Sequence, residues 1–430
     1  MTAWTATFLA SALLGQAGGI RSVGDVEKAL NGPVSAETAR AVAAYLQRTQ
    51  VTPMDRNPDL TLGAQRPPQA HGKVVWFLEA PATSRVVVVT KSGEKWALKP
   101  LGETGLHVGV ASTPLVVEYH YQYQVDGQPR RNAGKEPSVQ IESYELGPDH
   151  YPHDGVPAGK VVKMPPFVST KAYPGWSHDW WMYFPAGVQG TQEIPALMVF
   201  VDGKSYIDGD CPVPVVFDNL IHQKKIPKCV GVFVEPGTKP SEAGRRPRTN
   251  RSDEYDTCTP RFAEFLEREL LPEAAKHARF TDKPERRSIC GGSSGGSCAF
   301  TAAWHRPDMF HRVLSQIGSF CDFRNLESYP SLDGQVHPDV ERPQTWKVAH
   351  DYPALIRKTK PARPLRVFLQ DGEHDLDNQL GNWPLANRQM DKALEYAGYR
   401  HKLVMGQGFH SRRHGRSILS ESLIWLWSDD

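Results

Sequence analysis

No apolar run in these 430 residues approaches the roughly 18 needed to cross a bilayer, so the chain reads as water-soluble with no membrane partner. Neither sign of charge dominates: 50 Lys and Arg stand against 48 Asp and Glu. That balance argues against nucleic acid as a partner, because dedicated binders carry a basic excess on one face. Cysteine is scarce. The six residues Cys211, Cys229, Cys258, Cys290, Cys298 and Cys321 include no C-x-x-C pair, which removes a zinc ribbon and a thioredoxin-like motif. Six is also too sparse for a disulfide scaffold, so they read as small buried thiols, with one or two bridges open if the protein is exported. There is no repeat of fixed period. No Lys follows the glycines as in a Walker loop, and no H-E-x-x-H metal motif occurs.

What is present is an ordinary globular composition, 40% hydrophobic and 23% charged. The length suggests two or three domains at roughly 150 residues each. Residues Met1–Ala17 have an apolar centre and a small-residue end but lack the basic start of a secretory signal. They are read as a degenerate signal or a packed helix, which leaves exported and cytoplasmic locations both open. Two short helical patterns follow, over Val26–Leu30 and Ala36–Leu46, the second capped by Ser35. Asn57–Ala70 is Pro-rich and polar, a linker composition, so 1–69 is taken as a helical segment plus linker.

From Lys73 the pattern is one of strands: Val74–Ala80, Arg85–Thr90, Lys95–Leu98 and Glu118–Val125. In the last, Tyr119, Tyr121, Tyr123 and Val125 alternate with Glu118, His120, Gln122 and Gln124, which predicts one buried face. A small β-sandwich is expected over 70–147. Beyond 148 strands and helices alternate. Strands are expected at Ala196–Gly203, Val230–Gly237, Arg287–Cys290, Arg312–Phe320, Arg366–Gly372 and His401–Gly408. Helices are expected at Phe262–His277, Ser297–Trp304 and Asn382–Ala397. Such alternation predicts a mainly parallel, doubly wound α/β sheet for 148–430.

The chemistry centres on Cys290-Gly291-Gly292-Ser293-Ser294-Gly295-Gly296-Ser297. Read as G-x-S-x-G over Gly292–Gly296, it puts Ser294 on a strand-to-helix turn that would expose its hydroxyl. An acid after a later strand and then a His should follow. Asp371-Gly372-Glu373-His374-Asp375 follows one strand and Gly408-Phe409-His410 the next. Ser294 is expected as nucleophile, His410 as base and Asp375 as the orienting acid. Glu373, Asp371 and Asp377 compete for the acid, and His414 competes for the base. The oxyanion hole is expected from the N–H of Gly295 and of Gly203 or Lys204. His410 and His414 stand at i, i+4, a spacing that also suits a metal, but the Gly-rich loop before them speaks against it. Arg245, Arg246, Arg248 and Arg251 read as a solvated basic run, with Arg251 and Glu254 set apart as substrate-binding candidates. Trp176, Trp180, Trp181 and Trp383 are core aromatics or sugar platforms, Trp383 being the substrate-binding candidate.

Arg251–Asp256 (RSDEYD), CGGSSGG, Ala302–Phe310 (AAWHRPDMF), Leu314–Phe320 (LSQIGSF) and Asp371–Asn387 together resemble the enterochelin-esterase-like group of the esterase D superfamily. That superfamily is related to the feruloyl and acetylxylan esterases of carbohydrate esterase family 1. The resemblance covers about 150–430. It implies an α/β-hydrolase fold, a Ser-His-acid triad with no cofactor and no metal, and an immunoglobulin-like early set domain for the β region. It maps onto Ser294 and His410 and favours Asp375, with Glu373 open because enterochelin-type members often use Glu there. The implied activity is hydrolysis of a small-molecule or carbohydrate ester: feruloyl, acetyl or siderophore-type. Acyl transfer to a sugar and non-catalytic carbohydrate binding are the alternatives, and a homodimer stays open.

Overall fold

The computed structural model describes residues 20–49, 69–70, 72–130, 138–188, 193–207, 213–240, 248–324 and 348–428. The leading segment 1–17, most of the Pro-rich linker, Arg245, Arg246 and Cys211 lie outside the described residues. The fold is mixed α/β with a β-rich N-terminal part, and it divides into two compact units, Met1–Tyr144 and Glu145–Asp430.

The first unit is built on strands β1 (Lys73–Glu79), β2 (Val86–Thr90), β3 (Lys95–Pro100), β4 (Leu106–Ser112), β5 (Val116–Val125) and β6 (Ser138–Glu142). They pair antiparallel in the order β1-β4-β3-β2-β5, with β6 also on β5. Tyr119, Tyr121 and Tyr123 are buried on one face of β5; Tyr119 meets Trp96 edge-on, Tyr121 meets Trp76 at a tilt, and Tyr123 meets Tyr121 edge-on. The run VVWFL of β1 shows no alternation because both of its faces are covered. Val74, Trp76 and Leu78 join the aromatic core, while Val75 and Phe77 meet two helices. These are α1 (Val23–Leu30), capped by Ser22 in a reciprocal pair with Asp25, and α2 (Ala36–Thr49), whose Thr38 N–H is 3.1 Å from Ser35 Oγ.

The second unit holds an eight-stranded sheet. Its strands are β7 (Lys160–Lys163), β8 (Trp180–Phe184), β9 (Ala196–Val201), β10 (Cys229–Val234), β11 (Arg287–Gly292), β12 (Arg312–Gln316), β13 (Arg366–Gly372) and β14 (Arg400–Gly406). The order is β14-β13-β12-β11-β9-β10-β8-β7, parallel from β14 to β10 and antiparallel at the β8 and β7 edge. Strand β9 is fully buried on both faces. Leu197, Val199 and Val201 point into one core, and Ala196, Met198 and Phe200 into another. Helices α3 (Val213–His222), α4 (Arg251–Tyr255), α5 (Ser294–His305), α6 (Trp383–Tyr396) and α7 (Leu419–Trp427) contribute to these cores, α3 and α7 to one and α4, α5 and α6 to the other.

Two helices differ from expectation. The one expected over Phe262–His277 ends at Ala274 and passes through a π-helical segment, Leu266–Leu270, just before Pro272, which has no N–H to continue the ladder. Helix α5 begins at Ser294, three residues before the expected start. Gly295 and Gly296 belong to its first turn, where small residues let the helix press on β12: a Cβ at Gly296 would sit 2.7 Å from Ser315 Oγ. That shift decides which serine occupies the turn.

Candidate active site

The residue between β11 and α5 is Ser293, with φ 59° and ψ −127°. A non-glycine residue at positive φ is strained, and the strain is locked in: Ser293 N–H donates to Gln316 O at 3.0 Å, and its carbonyl accepts the N–H of Ser319 at 3.1 Å. Two residues either side stand Gly291 and Gly295, and a Cβ at Gly291 would lie 2.1 Å from the Gly295 carbonyl oxygen. The G-x-S-x-G frame is therefore Gly291–Gly295, centred on Ser293. Ser293 Oγ lies 2.8 Å from His410 Nε2. The expectation of Ser294 is corrected by one residue: Ser294 is the first residue of α5 and is buried, and its carbonyl accepts the Ser297 hydroxyl. The sequence holds both overlapping frames, and the choice turned on where the helix starts.

His410 is in the loop after β14, and its Nδ1 lies 2.5 Å from Asp375 Oδ1. Asp375 follows β13, and its Oδ1 also accepts the Leu376 N–H at 2.5 Å. The structure thus brings His410 and Asp375 together. Glu373 instead pairs with Arg388 at 2.5 Å, on the exposed side. His414 is buried against Gln370, its Nδ1 at 3.0 Å from Gln370 Nε2, and burial lowers its pKa. Asp371 is wholly buried behind Asp375. Burial first, and then a hydrogen bond to Asp375, raise its carboxyl to about 9. The Asn387 amide donates to Asp371 Oδ2 at 2.8 Å, to Gly318 O at 3.0 Å and to Trp383 O at 3.1 Å. One side chain so ties β13, the loop after β12 and α6.

The expected oxyanion donors do not stand as expected. Gly203 N–H donates to Val234 O at 3.0 Å, and Lys204 N–H to Glu235 Oε1 at 2.8 Å, so both are engaged elsewhere. With Ser293 at the turn, the residue after it is Ser294, not Gly295. Its N–H opens a helix, where the first N–H groups have no carbonyl of their own helix to bond.

Of the substrate-binding candidates, Glu254 is 1% exposed and accepts from Gly237 N–H at 3.0 Å and Asn250 Nδ2 at 3.1 Å, with His178 Nε2 at 3.1 Å. It holds its own helix and loop in place and is not available to a ligand. Trp383 is also buried. Its ring lies 5.7 Å from the His410 ring at 79°, underneath the histidine and not as an open platform. Arg251 is partly exposed and grips Asp202, with Nε at 3.0 Å from Oδ1 and Nη2 at 2.7 Å from Oδ2. Arg412 joins the same carboxylate at 3.4 Å. Burial pushes Asp202 up, but Arg251 and then Arg412 outweigh it and leave the carboxyl below its usual value. This cluster abuts the turn: a Cβ at Gly292 would be 3.1 Å from Arg412 Nε, and one at Gly295 3.2 Å from Asp202 Oδ2. Sequence reasoning missed Arg412, Asp202 and Ser319, whose Oγ is 3.3 Å from Ser293 Oγ. Among the described residues no group of three or more His, Cys, Asp and Glu could hold a metal ion.

A hydroxyl on a strained turn, an imidazole in reach and a carboxylate behind it can transfer a proton from oxygen to nitrogen as the oxygen attacks a carbonyl. Residues 172–426 match the family model "Esterase: Putative esterase". The iron(III) enterobactin esterase of Dickeya dadantii is 26% identical over 250 residues, 58% of this chain and 52% of the relative. The iron(III) enterobactin esterase of Escherichia coli K12 is 32% identical over 137 residues, 32% of this chain and 31% of the relative. The chain thus spans about half or less of the curated relatives it matches. A crystal structure of an enterochelin esterase from Shigella flexneri superposes with a TM-score of 0.55 at 19% identity, over 84% of this chain and 94% of that one.

Proposed function

The chain belongs to the Esterase family, and on that premise we propose that it hydrolyses carboxylic esters with Ser293 as nucleophile, His410 as base and Asp375 as the orienting acid. The observation that carries the reading is the unbroken contact from Ser293 Oγ to His410 Nε2 and from His410 Nδ1 to Asp375, on a turn held at positive φ. Ser293 Oγ attacks the ester carbonyl carbon while its proton passes to His410 Nε2. The carbonyl oxygen gains the negative charge, for which the Ser294 N–H at the head of α5 is a donor. Collapse breaks the carbon–oxygen bond to the alcohol, which leaves with the proton from Nε2. Water then repeats the sequence on the acyl-Ser293 ester and releases the acid. Asp375 holds the Nδ1–H tautomer and stabilises the imidazolium.

The substrate proposed is a catecholate siderophore ester of the enterobactin kind. Likeness to enterobactin esterases supports it, as does the convergence of Arg251 and Arg412 on Asp202 beside the turn, which suits an anionic, phenol-rich acyl group. The strand order with cores on both faces supports reading Glu145–Asp430 as a doubly wound α/β-hydrolase unit. The antiparallel strands β1–β6 support an immunoglobulin-like reading of the first unit.

The test is a hydrolysis panel of a catecholate trilactone, methyl ferulate, acetylated xylan and p-nitrophenyl esters, each with the wild type and Ser293→Ala. Preferential, Ser293-dependent opening of the trilactone is the expected result. Preference for ferulate or xylan would overturn the substrate while keeping the triad. Unchanged turnover by Ser293→Ala would overturn the triad.

A further inference from the structure

Ser319 lies in the loop after β12 and is 1% exposed. Its Oγ accepts the indole N–H of Trp383 at 3.1 Å and stands 3.3 Å from Ser293 Oγ. An indole Nε1–H donates and never accepts, so the polarity of this chain of contacts is fixed at its buried end. With that N–H on its oxygen, the Ser319 hydroxyl has its own proton to place, and Ser293 Oγ is within reach. The Ser293 proton is thereby directed to His410 Nε2, 2.8 Å away. The backbone fixes the pair too, since the Ser319 N–H donates to Ser293 O at 3.1 Å.

We propose that Ser319 is a further catalytic residue, a hydroxyl donor to the nucleophilic oxygen of Ser293, and that Trp383 is the positioning residue that sets its direction. The inference rests on the reading of Ser293 as nucleophile. At 3.3 Å the contact is long for an O–H···O bond, whose usual distance is about 2.7–2.8 Å. Little is gained from it while Ser293 is neutral. Its part is directional: with the Ser319 proton on Ser293 Oγ, the Ser293 O–H is held on His410 Nε2, while the charge of the attack passes to the carbonyl oxygen. A proton held in line for its transfer bears on the chemical step, so the contact raises kcat and leaves substrate binding alone. The arrangement also opposes a competing state. Without the Trp383 donor, Ser293 could give its proton to Ser319 and leave His410 without one to take.

The experiment compares wild type, Ser319→Ala, Ser319→Cys, Trp383→Phe, the Ser319→Ala/Trp383→Phe double variant and Ser293→Ala. It reads kcat and KM on a p-nitrophenyl ester, and the rate of covalent inactivation by a p-nitrophenyl phosphonate, which engages the nucleophile directly. Ser319→Ala is expected to lower kcat and the inactivation rate about 3- to 10-fold with KM unchanged, the scale of one net hydrogen bond. Ser319→Cys keeps the volume with a weak S–H donor, so it tests the same loss without opening a cavity. Trp383→Phe should lower kcat in the wild-type background and have no further effect on Ser319→Ala, because it acts through that hydroxyl. Wild-type kcat in both Ser319 variants, alongside an inactive Ser293→Ala, overturns the inference and leaves the triad standing. An equal loss from Trp383→Phe with and without Ser319 overturns the role of Trp383. An active Ser293→Ala would instead overturn the reading on which the inference depends.

Discussion

Ser293 and Ser294 are neighbours of the same chemistry, and their backbones separate them. Ser293→Ala should drop kcat/KM by on the order of 10⁶-fold, as expected when a nucleophile is removed from a serine triad. Ser294→Ala leaves the Ser294 N–H in place, so turnover within about threefold of wild type is expected, on the scale of a minor hydrogen bond. Steady-state kinetics on one p-nitrophenyl ester measures both. The acid is separable in the same way. Asp375→Asn should cost about 10⁴-fold in kcat by favouring the wrong His410 tautomer. Glu373→Gln should cost almost nothing, because Glu373 pairs with Arg388 away from the histidine. Asp371 makes a different prediction. Its carboxyl is raised to about 9 by burial and by Asp375, whereas in an unfolded chain it would ionise near 3.9. The folded state holds a proton that the unfolded state gives up. The stability associated with it is full below about pH 4 and is lost as pH rises towards 9. Asp371→Asn abolishes that titration, so the melting temperature of the variant relative to wild type should climb between about pH 5 and pH 9, as read by calorimetry.

Among the elements, the strands were the most legible in the amino-acid pattern. The tyrosine alternation of β5 and the apolar runs of β9, β10 and β13 carry their burial on their face, and the loops after β13 and β14 did bring Asp375 and His410 together. The junction of β11 and α5 was not legible, for a physical reason. Glycine is a poor helix former and a good turn former, so CGGSSGGS reads as one long turn. Tertiary packing overrides that preference: a side chain at Gly296 would strike Ser315, and one at Gly291 would strike Gly295. The first clearance is invisible until β12 is in place, and the second until α5 turns back over the end of β11. They also make a test at the level of this element. Gly291→Ala should destabilise by about 3 kcal/mol, the upper end of overpacking costs, because the obstacle is backbone. Gly292→Ala meets only the flexible Arg412 side chain at 3.1 Å and should melt close to wild type. A reversed order in thermal melts would place the G-x-S-x-G frame back on Ser294. The residues missed in the sequence, Ser319, Asp202 and Arg412, come from three separate loops and match no fixed spacing from the Gly-rich turn. Only the sheet order makes them neighbours.

For the whole molecule, the proposed triad, the Asp202 cluster and both of the cores that support them lie within Glu145–Asp430. The unit alone is therefore expected to fold and to turn over p-nitrophenyl esters in a Ser293-dependent way. Expression of 145–430 with an activity assay checks it, and a soluble, folded but inactive fragment would assign the first unit a share in the chemistry. Asn387 has a consequence at this scale. Its amide grips the segments that carry Ser319, Asp371 and Trp383 through Gly318 O, Asp371 Oδ2 and Trp383 O. It works as a pin through three plates, so none of them can loosen alone. The three segments should therefore loosen together, and heat should extinguish turnover as Glu145–Asp430 melts and not before.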